Sequence, residues 1–151
     1  MKVKTIALVA HDNLKKDLIE WAVFNCDTIS KFKMVCTGTT GKMVEEALWE
    51  KLGQKVALDI VKLKSGPLGG DVELSSMISD GKIDMLFFLW DPMQPQPHDV
   101  DVRSLLRIAN LYNIPTACNR STADFLISSQ LLTADYKRQV KDYSKYLNRK
   151  I

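Results

Sequence analysis

The chain has 151 residues, of which 46% are hydrophobic and 26% are charged, and its formal net charge at pH 7 is +3. This length and composition are typical of one globular domain with a sizeable core, so residues 1–151 are interpreted as a single domain. The positive charges are few and dispersed, which argues against a nucleic-acid partner but suits a small phosphorylated ligand.

Cysteine usage and hydropathy exclude several further classes of protein. The three cysteines, Cys26, Cys36 and Cys118, are odd in number and form no Cys-x-x-Cys pair, so neither a disulfide framework nor a zinc site is predicted. No signal-peptide pattern precedes the first strand-like segment, and the longest strongly apolar run, residues 85–90, is too short to cross a bilayer. We therefore expect a cytoplasmic protein without a membrane partner.

Apolar runs alternate with helical periodicity along the chain. Runs typical of buried strands occupy residues 3–10, 32–36, 56–63, 83–90 and 114–118. Helical patterns follow at residues 14–25, 42–52, 72–79 and 102–111, another helix opens at residues 121–124, and a charged C-terminal helix is predicted over 133–148. This alternation predicts a Rossmann-like, three-layer α/β fold with a five-stranded, mostly parallel sheet and helices on both faces.

Polar loops follow the first four predicted strands. They are His11, Thr37–Gly41, Ser65–Asp71 and His98–Asp101. Because ligands of such folds bind beyond the carboxyl ends of the strands, we expect these loops to converge on one site. This convergence is the strongest indication of function that the residues themselves provide.

The Ser65–Asp71 stretch holds three glycines and a proline, and it therefore predicts a strand-to-helix loop. Glycines allow the backbone to approach a ligand closely, and a carboxylate at the mouth of the loop is a candidate general base. The alternative interpretation is that Asp71 caps the helix and the glycines form a turn.

Two further features favour an anion site with acid–base chemistry. The hydroxyls and backbone N–H groups of Thr37–Gly41 suit a phosphate, although the spacing is not that of a P-loop, and Lys15 could reach the same anion as His11. Both histidines of the chain, His11 and His98, fall in the predicted crevice. Metal binding with Asp71, Asp91 or Asp101 is a less favoured alternative, because no short-spaced ligand pair is present.

Together these groups fit proton abstraction beside the carbonyl of a small sugar phosphate. A carboxylate would take the proton and a neutral donor would stabilise the enediolate. No Gly-x-Ser-x-Gly elbow or other well-marked nucleophile favours covalent catalysis.

An ordered set of motifs, spread over nearly the whole chain, resembles the methylglyoxal synthase family. The motifs lie at residues 6–12, 37–41, 65–71, 81–84, 90–92, 97–102, 113–115 and 123–125. The resemblance implies a lyase that converts dihydroxyacetone phosphate to methylglyoxal and inorganic phosphate, a bypass of glycolysis that uses no metal or organic cofactor.

The resemblance also implies individual roles. Asp71 would be the base that removes a C3 proton, His98 would hydrogen-bond the carbonyl region and move protons, and Asp101 would assist them. The residues implied to hold the substrate, chiefly its phosphate, are His11, Lys15, Thr37, Gly38, Thr39, Thr40, Ser65 and Gly66, together with His98.

The resemblance also implies a homohexamer, because members of this family are homohexamers. They are often inhibited by phosphate, and they often use a C-terminal arginine that reaches toward a neighbouring site. Arg149 is the only arginine in residues 146–151, and its register is shifted by one residue, so the resemblance leaves open whether Arg149 or Lys150 takes that role. The domain also resembles regulatory, ligand-binding modules of larger enzymes. Such modules keep an anion pocket but have no need of Asp71, His98 and Asp101. A purely structural subunit would leave the concentration of polar loops unexplained.

Overall fold

A five-stranded parallel sheet forms the centre of the molecule in the computed structural model, which describes residues 3–150. The strands are β1 (Thr5–Ala10), β2 (Lys33–Cys36), β3 (Ile60–Lys62), β4 (Met85–Leu89) and β5 (Thr116–Ala117). Their order across the sheet is β3-β2-β1-β4-β5, and every neighbouring pair is parallel. The predicted α/β fold is therefore confirmed, with a wholly parallel sheet.

Seven α-helices accompany the strands in the described residues. They are α1 (Lys15–Phe24), α2 (Cys26–Ile29), α3 (Gly38–Leu52), α4 (Gly70–Ser79), α5 (Asp99–Leu111), α6 (Arg120–Ser128) and α7 (Ser144–Leu147). Side chains of α1, α2, α3 and α6 join one hydrophobic core, and those of α4 and α5 join a second. Alternate residues of β1 enter the two cores, with Ile6 and Leu8 in the first and Ala7 and Val9 in the second. Helices thus cover both faces of the sheet.

The strand order explains where a ligand can bind. From β1 the chain moves outward through β2 to β3, and it then returns to the other side of β1 to form β4 and β5. The order therefore reverses between β1 and β4, and the loops that follow these two strands diverge to leave a crevice. His11 directly follows β1, and the loop that ends at His98 follows β4.

Local boundaries differ from the sequence predictions at several elements. The third strand is shorter than the predicted 56–63, because the short β2 offers register partners only to Ile60–Lys62. The 37–41 segment is mostly the first turn of α3 rather than a loop, and Asp101 similarly lies in the first turn of α5. The helix predicted at residues 121–124 begins at Arg120, after Asn119, whose side chain accepts a hydrogen bond from the Thr122 N–H.

The C-terminal helix predicted over 133–148 is wrong except for α7. Most of the segment lacks regular structure and is held by distant groups instead. Lys4 Nζ donates to the carbonyls of Leu132 and Ala134 at 2.6 and 2.8 Å, and Asn113 Nδ2 donates to the Gln139 carbonyl at 3.1 Å. These tertiary bonds satisfy backbone carbonyls that a helix would have used internally. Within residues 3–150, no helix is long and apolar enough to span a membrane.

Candidate active site

The polar loops converge as predicted, around a cavity of about 320 Å³ at the carboxyl edge of the sheet. Ten of the predicted site residues line it: His11, Lys15, Thr37, Gly38, Thr39, Thr40, Ser65, Gly66, Asp71 and His98. Asp101 does not line the cavity, but it is partly buried close enough to Asp71 to influence its ionisation. The cavity therefore joins the candidate acid–base groups to the candidate phosphate-binding groups.

Asp71 and His98 form a buried pair within this cavity. Asp71 Oδ2 lies 3.3 Å from His98 Nε2, and their side chains are only 2% and 8% exposed. This contact is an ion-pair contact rather than a hydrogen bond. Asp71 Oδ2 and the other ring nitrogen of His98, Nδ1, are buried polar atoms without hydrogen-bond partners in the described residues. Unpaired buried polar groups cost stability, and such a cost is typical of sites arranged for a ligand.

Burial raises the pKa of Asp71, and the nearby Asp101 carboxylate raises it further, while His98 opposes both effects. A carboxylate with a raised pKa holds a proton more strongly and is therefore a better general base. The capping alternative for Asp71 fails on geometry. Gly69 is the N-cap residue of α4, no side chain caps that helix, and Asp71 lies inside its first turn.

The glycines of the 65–71 loop are required by contacts as well as by conformation. Gly69 has φ +101°, in the left-handed region that favours glycine. A Cβ at Gly70 would lie 2.0 Å from the Lys64 carbonyl oxygen, and a Cβ at Gly66 would lie 2.6 Å from His98 Nε2. The loop can therefore fold back against Lys64 and deliver Asp71 to His98 only without side chains at these positions.

Lys15 and the start of α3 form the anion-binding side of the cavity. Lys15 Nζ donates to Thr39 Oγ1 and to Asp12 Oδ1, each at 2.7 Å. No side chain caps the N-terminus of α3, and the Gly38 N–H donates to the carbonyls of Leu63 and Lys64. The next N–H groups, the adjacent hydroxyls and the ammonium group of Lys15 remain available to an anion.

His11 is held more firmly than the sequence indicated. Its ring packs edge-to-face against Phe88 and His98, with centroids 5.2 and 5.6 Å away, and Nδ1 accepts a hydrogen bond from the Asp91 N–H at 3.1 Å. Burial is the main cause that lowers the pKa of His11, and the charge of His98 lowers it further. The ring is therefore biased toward its neutral form.

Sequence reasoning missed two features of the site. Gln96 lines the cavity from the proline-rich loop, and no spacing rule in that loop signalled it. Asp91 is a candidate metal ligand in the sequence, but in the structure its carboxylate accepts hydrogen bonds from Asn13 Nδ2 and the Met93 N–H. Among residues 3–150 there is no group of three or more His, Cys, Asp or Glu side chains arranged to hold a metal ion.

Comparison with known proteins places the chain within one family. The MGS-like domain model matches residues 17–118. A methylglyoxal synthase of Maridesulfovibrio salexigens is 54% identical, with 99% of each chain aligned. One of Oleidesulfovibrio alaskensis is 49% identical, over 97% of this chain and 95% of the relative.

Comparison with solved structures leads to the same family. The crystal structure of methylglyoxal synthase from Elizabethkingia anophelis matches with a TM-score of 0.86 and 44% identity, covering 99% of this chain and 93% of the other. These relatives match along nearly their whole lengths. The chain therefore belongs to the methylglyoxal synthase family and is an enzyme of the lyase class.

Proposed function

We propose that this enzyme converts dihydroxyacetone phosphate to methylglyoxal and inorganic phosphate. The observation that carries the proposal is the position of a buried Asp71–His98 pair in the same cavity as Lys15 and the start of α3. If a small ketose phosphate placed its phosphate against Lys15 and the start of α3, its carbonyl and hydroxymethyl carbons would face Asp71 and His98. The family relatives, which are named for methylglyoxal synthesis, agree with this chemistry.

In the first step, Asp71 removes a proton from C3 of the substrate. The electrons of the C3–H bond form a C2–C3 double bond, and negative charge develops on the C2 oxygen. Burial of Asp71 favours this transfer, because a raised pKa brings the carboxyl closer to the affinity that a general base needs. His98 is the donor to the developing enediolate, since it is adjacent to Asp71 and lines the same cavity.

Phosphate is lost in the second step. As the C3 hydroxyl gives up its proton and becomes a carbonyl, the electron pair shifts to C1–C2 and the C1–oxygen bond to phosphate breaks. Because the C2 oxygen carries the negative charge, this elimination leaves the enolate of methylglyoxal, which becomes methylglyoxal when C1 gains a proton. Asp101 assists these proton transfers through its influence on Asp71, and Lys15 with the hydroxyls of Thr37, Thr39, Thr40 and Ser65 stabilises the departing dianion.

The test is direct assay of purified protein with dihydroxyacetone phosphate. We expect equal amounts of methylglyoxal and inorganic phosphate, with a rate that EDTA does not reduce. Formation of glyceraldehyde phosphate without phosphate release would identify an isomerase instead. Saturable phosphate binding without turnover would favour a regulatory ligand-binding module.

We also propose that the protein is a cytoplasmic homohexamer that free phosphate inhibits at the substrate site. Large apolar side chains beside the site are exposed and suited to cover by another copy, among them Leu68, Val72 and Val100 at 74%, 55% and 78%. Light scattering of the purified protein would report the assembly, and phosphate titration of the assay would report the inhibition.

A further inference from the structure

The protonation pattern of the His11 ring can be read from its hydrogen bonds. The Asp91 N–H donates to Nδ1 at 3.1 Å, so Nδ1 acts as an acceptor and carries no proton. A neutral imidazole must then carry its proton on Nε2. His11 is 5% exposed and lines the cavity, and its Nε2 has no hydrogen-bond partner within residues 3–150.

The Asp91 N–H is itself fixed by side-chain bonds. Asp91 Oδ1 accepts from the Met93 N–H and Oδ2 accepts from Asn13 Nδ2, both at 2.9 Å. Asn13 lies two residues after His11, in the turn that follows β1, whereas Asp91 lies two residues after β4. The Asn13–Asp91 bond therefore joins the two loops of the switch point and sets the donor against the histidine ring.

We propose that Asn13 and Asp91 are positioning residues that hold His11 as the Nε2–H tautomer, so that this ring offers the substrate a neutral N–H donor. The inference rests on the proposed function only for the identity of the substrate. The opposite tautomer would place two N–H groups against each other at Nδ1 and would leave Nε2 as an acceptor, which repels a phosphate or a developing enediolate.

The Asn13–Asp91 hydrogen bond can be tested by exchanging its two side chains. Asn13→Asp places two carboxylates together at pH 8 and should break the link. In the double variant Asn13→Asp/Asp91→Asn, the new amide can donate to the new carboxylate while its oxygen still accepts from the Met93 N–H. Total charge then equals that of the wild type. Asn110→Asp, at an exposed position on α5, is the matched control for added charge.

Nitrogen-15 NMR of the imidazoles reads the tautomer without any assay of activity. The chain has only two histidines, and a His98→Gln variant leaves His11 as the single signal to assign. At pH 8 we expect wild-type His11 to be protonated on Nε2 and unprotonated on Nδ1. Asn13→Asp should shift the population toward the other tautomer and lower kcat roughly 10-fold, by analogy with the low end for losing an outer partner that orients a metal-bound histidine.

The exchanged double variant should recover both the wild-type tautomer and most of kcat, while Asn110→Asp should match the wild type. Protonation of wild-type Nδ1 would overturn the proposal, as would a double variant no better than Asn13→Asp in either readout. If no variant and no wild-type preparation turns over dihydroxyacetone phosphate, the proposed function fails, and the NMR result still decides the positioning role.

Discussion

Replacing Asp71 by asparagine separates a catalytic carboxylate from a structural one. The substitution keeps the size of the side chain but removes its ability to accept a proton. Loss of a general base typically costs ~10²–10⁴-fold in rate, equivalent to about 3–5 kcal/mol of activation free energy. We expect the upper part of that range, because Asp71 is only 1% exposed and bulk water has little access to replace it.

Unlike its activity, the stability of Asp71→Asn should be equal to or higher than that of the wild type. Burial raises the pKa of Asp71 above its usual 3.8, so folding favours the protonated form. The stability that this preference contributes is present at low pH and is lost as pH rises from 3.8 through the folded-state pKa. The neutral amide of asparagine avoids the cost of a buried carboxylate, so the Tm of Asp71→Asn at pH 7 should equal or exceed that of the wild type.

The assay combines turnover, melting temperature and exchange of the C3 hydrogen of the substrate with heavy water, all on one preparation. Asp59→Asn, at an exposed position before β3, is the control for loss of one acidic group. Binding of substrate should persist in Asp71→Asn, since one negative charge facing a dianion is gone. Near-normal turnover, or C3 exchange at the wild-type rate, would refute the reasoning and direct attention to Asp101.

Three further perturbations test the rest of the site. Gly66→Ala places a Cβ 2.6 Å from His98 Nε2, which forces the histidine ring or the loop to move. That displacement should lower kcat roughly 10²-fold and affect phosphate affinity less. Equal losses in kcat and in phosphate affinity would contradict the prediction. Lys15→Met removes a charge-assisted hydrogen bond worth about 1.5–3 kcal/mol and should weaken phosphate binding roughly 10- to 100-fold by calorimetry, whereas exposed Lys16→Met should not. Because the pKa of His11 is lowered from 6.5, the stability it contributes is present above pH 6.5 and is lost as pH falls through the folded-state pKa. Urea unfolding at pH 7.5 and 5.5 should show a smaller drop in the free energy of unfolding for His11→Asn than for the wild type. The same drop in both proteins would exclude a contribution from His11.

The alternation of apolar runs and helical periodicity was enough to predict the layers, the parallel sheet and the edge at which ligands bind. These features depend on local patterning and on the rule that parallel strands place their carboxyl ends together. For the same reason His11, the 37–41 segment, Asp71 and His98 could be assigned to one crevice before any contact was known. The sequence also identified the family, since its motifs occur in the family's order along nearly the whole chain.

Pairings between distant groups required the tertiary structure. The 3.3 Å contact between Asp71 and His98 depends on how the 65–71 loop folds over Lys64, and the Asp91 N–H meets His11 only because the chain reverses between β1 and β4. Neither contact leaves a periodic signal, because its partners are 27 and 80 residues apart.

The C-terminal segment shows where local patterning misleads. Its charged, helix-compatible residues predicted a helix over 133–148, yet Lys4 and Asn113 bind its backbone carbonyls from across the fold. Most of the stability of a helix in a protein comes from packing an apolar face, so a few long-range hydrogen bonds can decide the conformation of this charged segment. Local patterning determines most of the elements and the sheet edge that they share, whereas the loop contacts of the site and the path of the tail depend on groups that only the folded chain brings together.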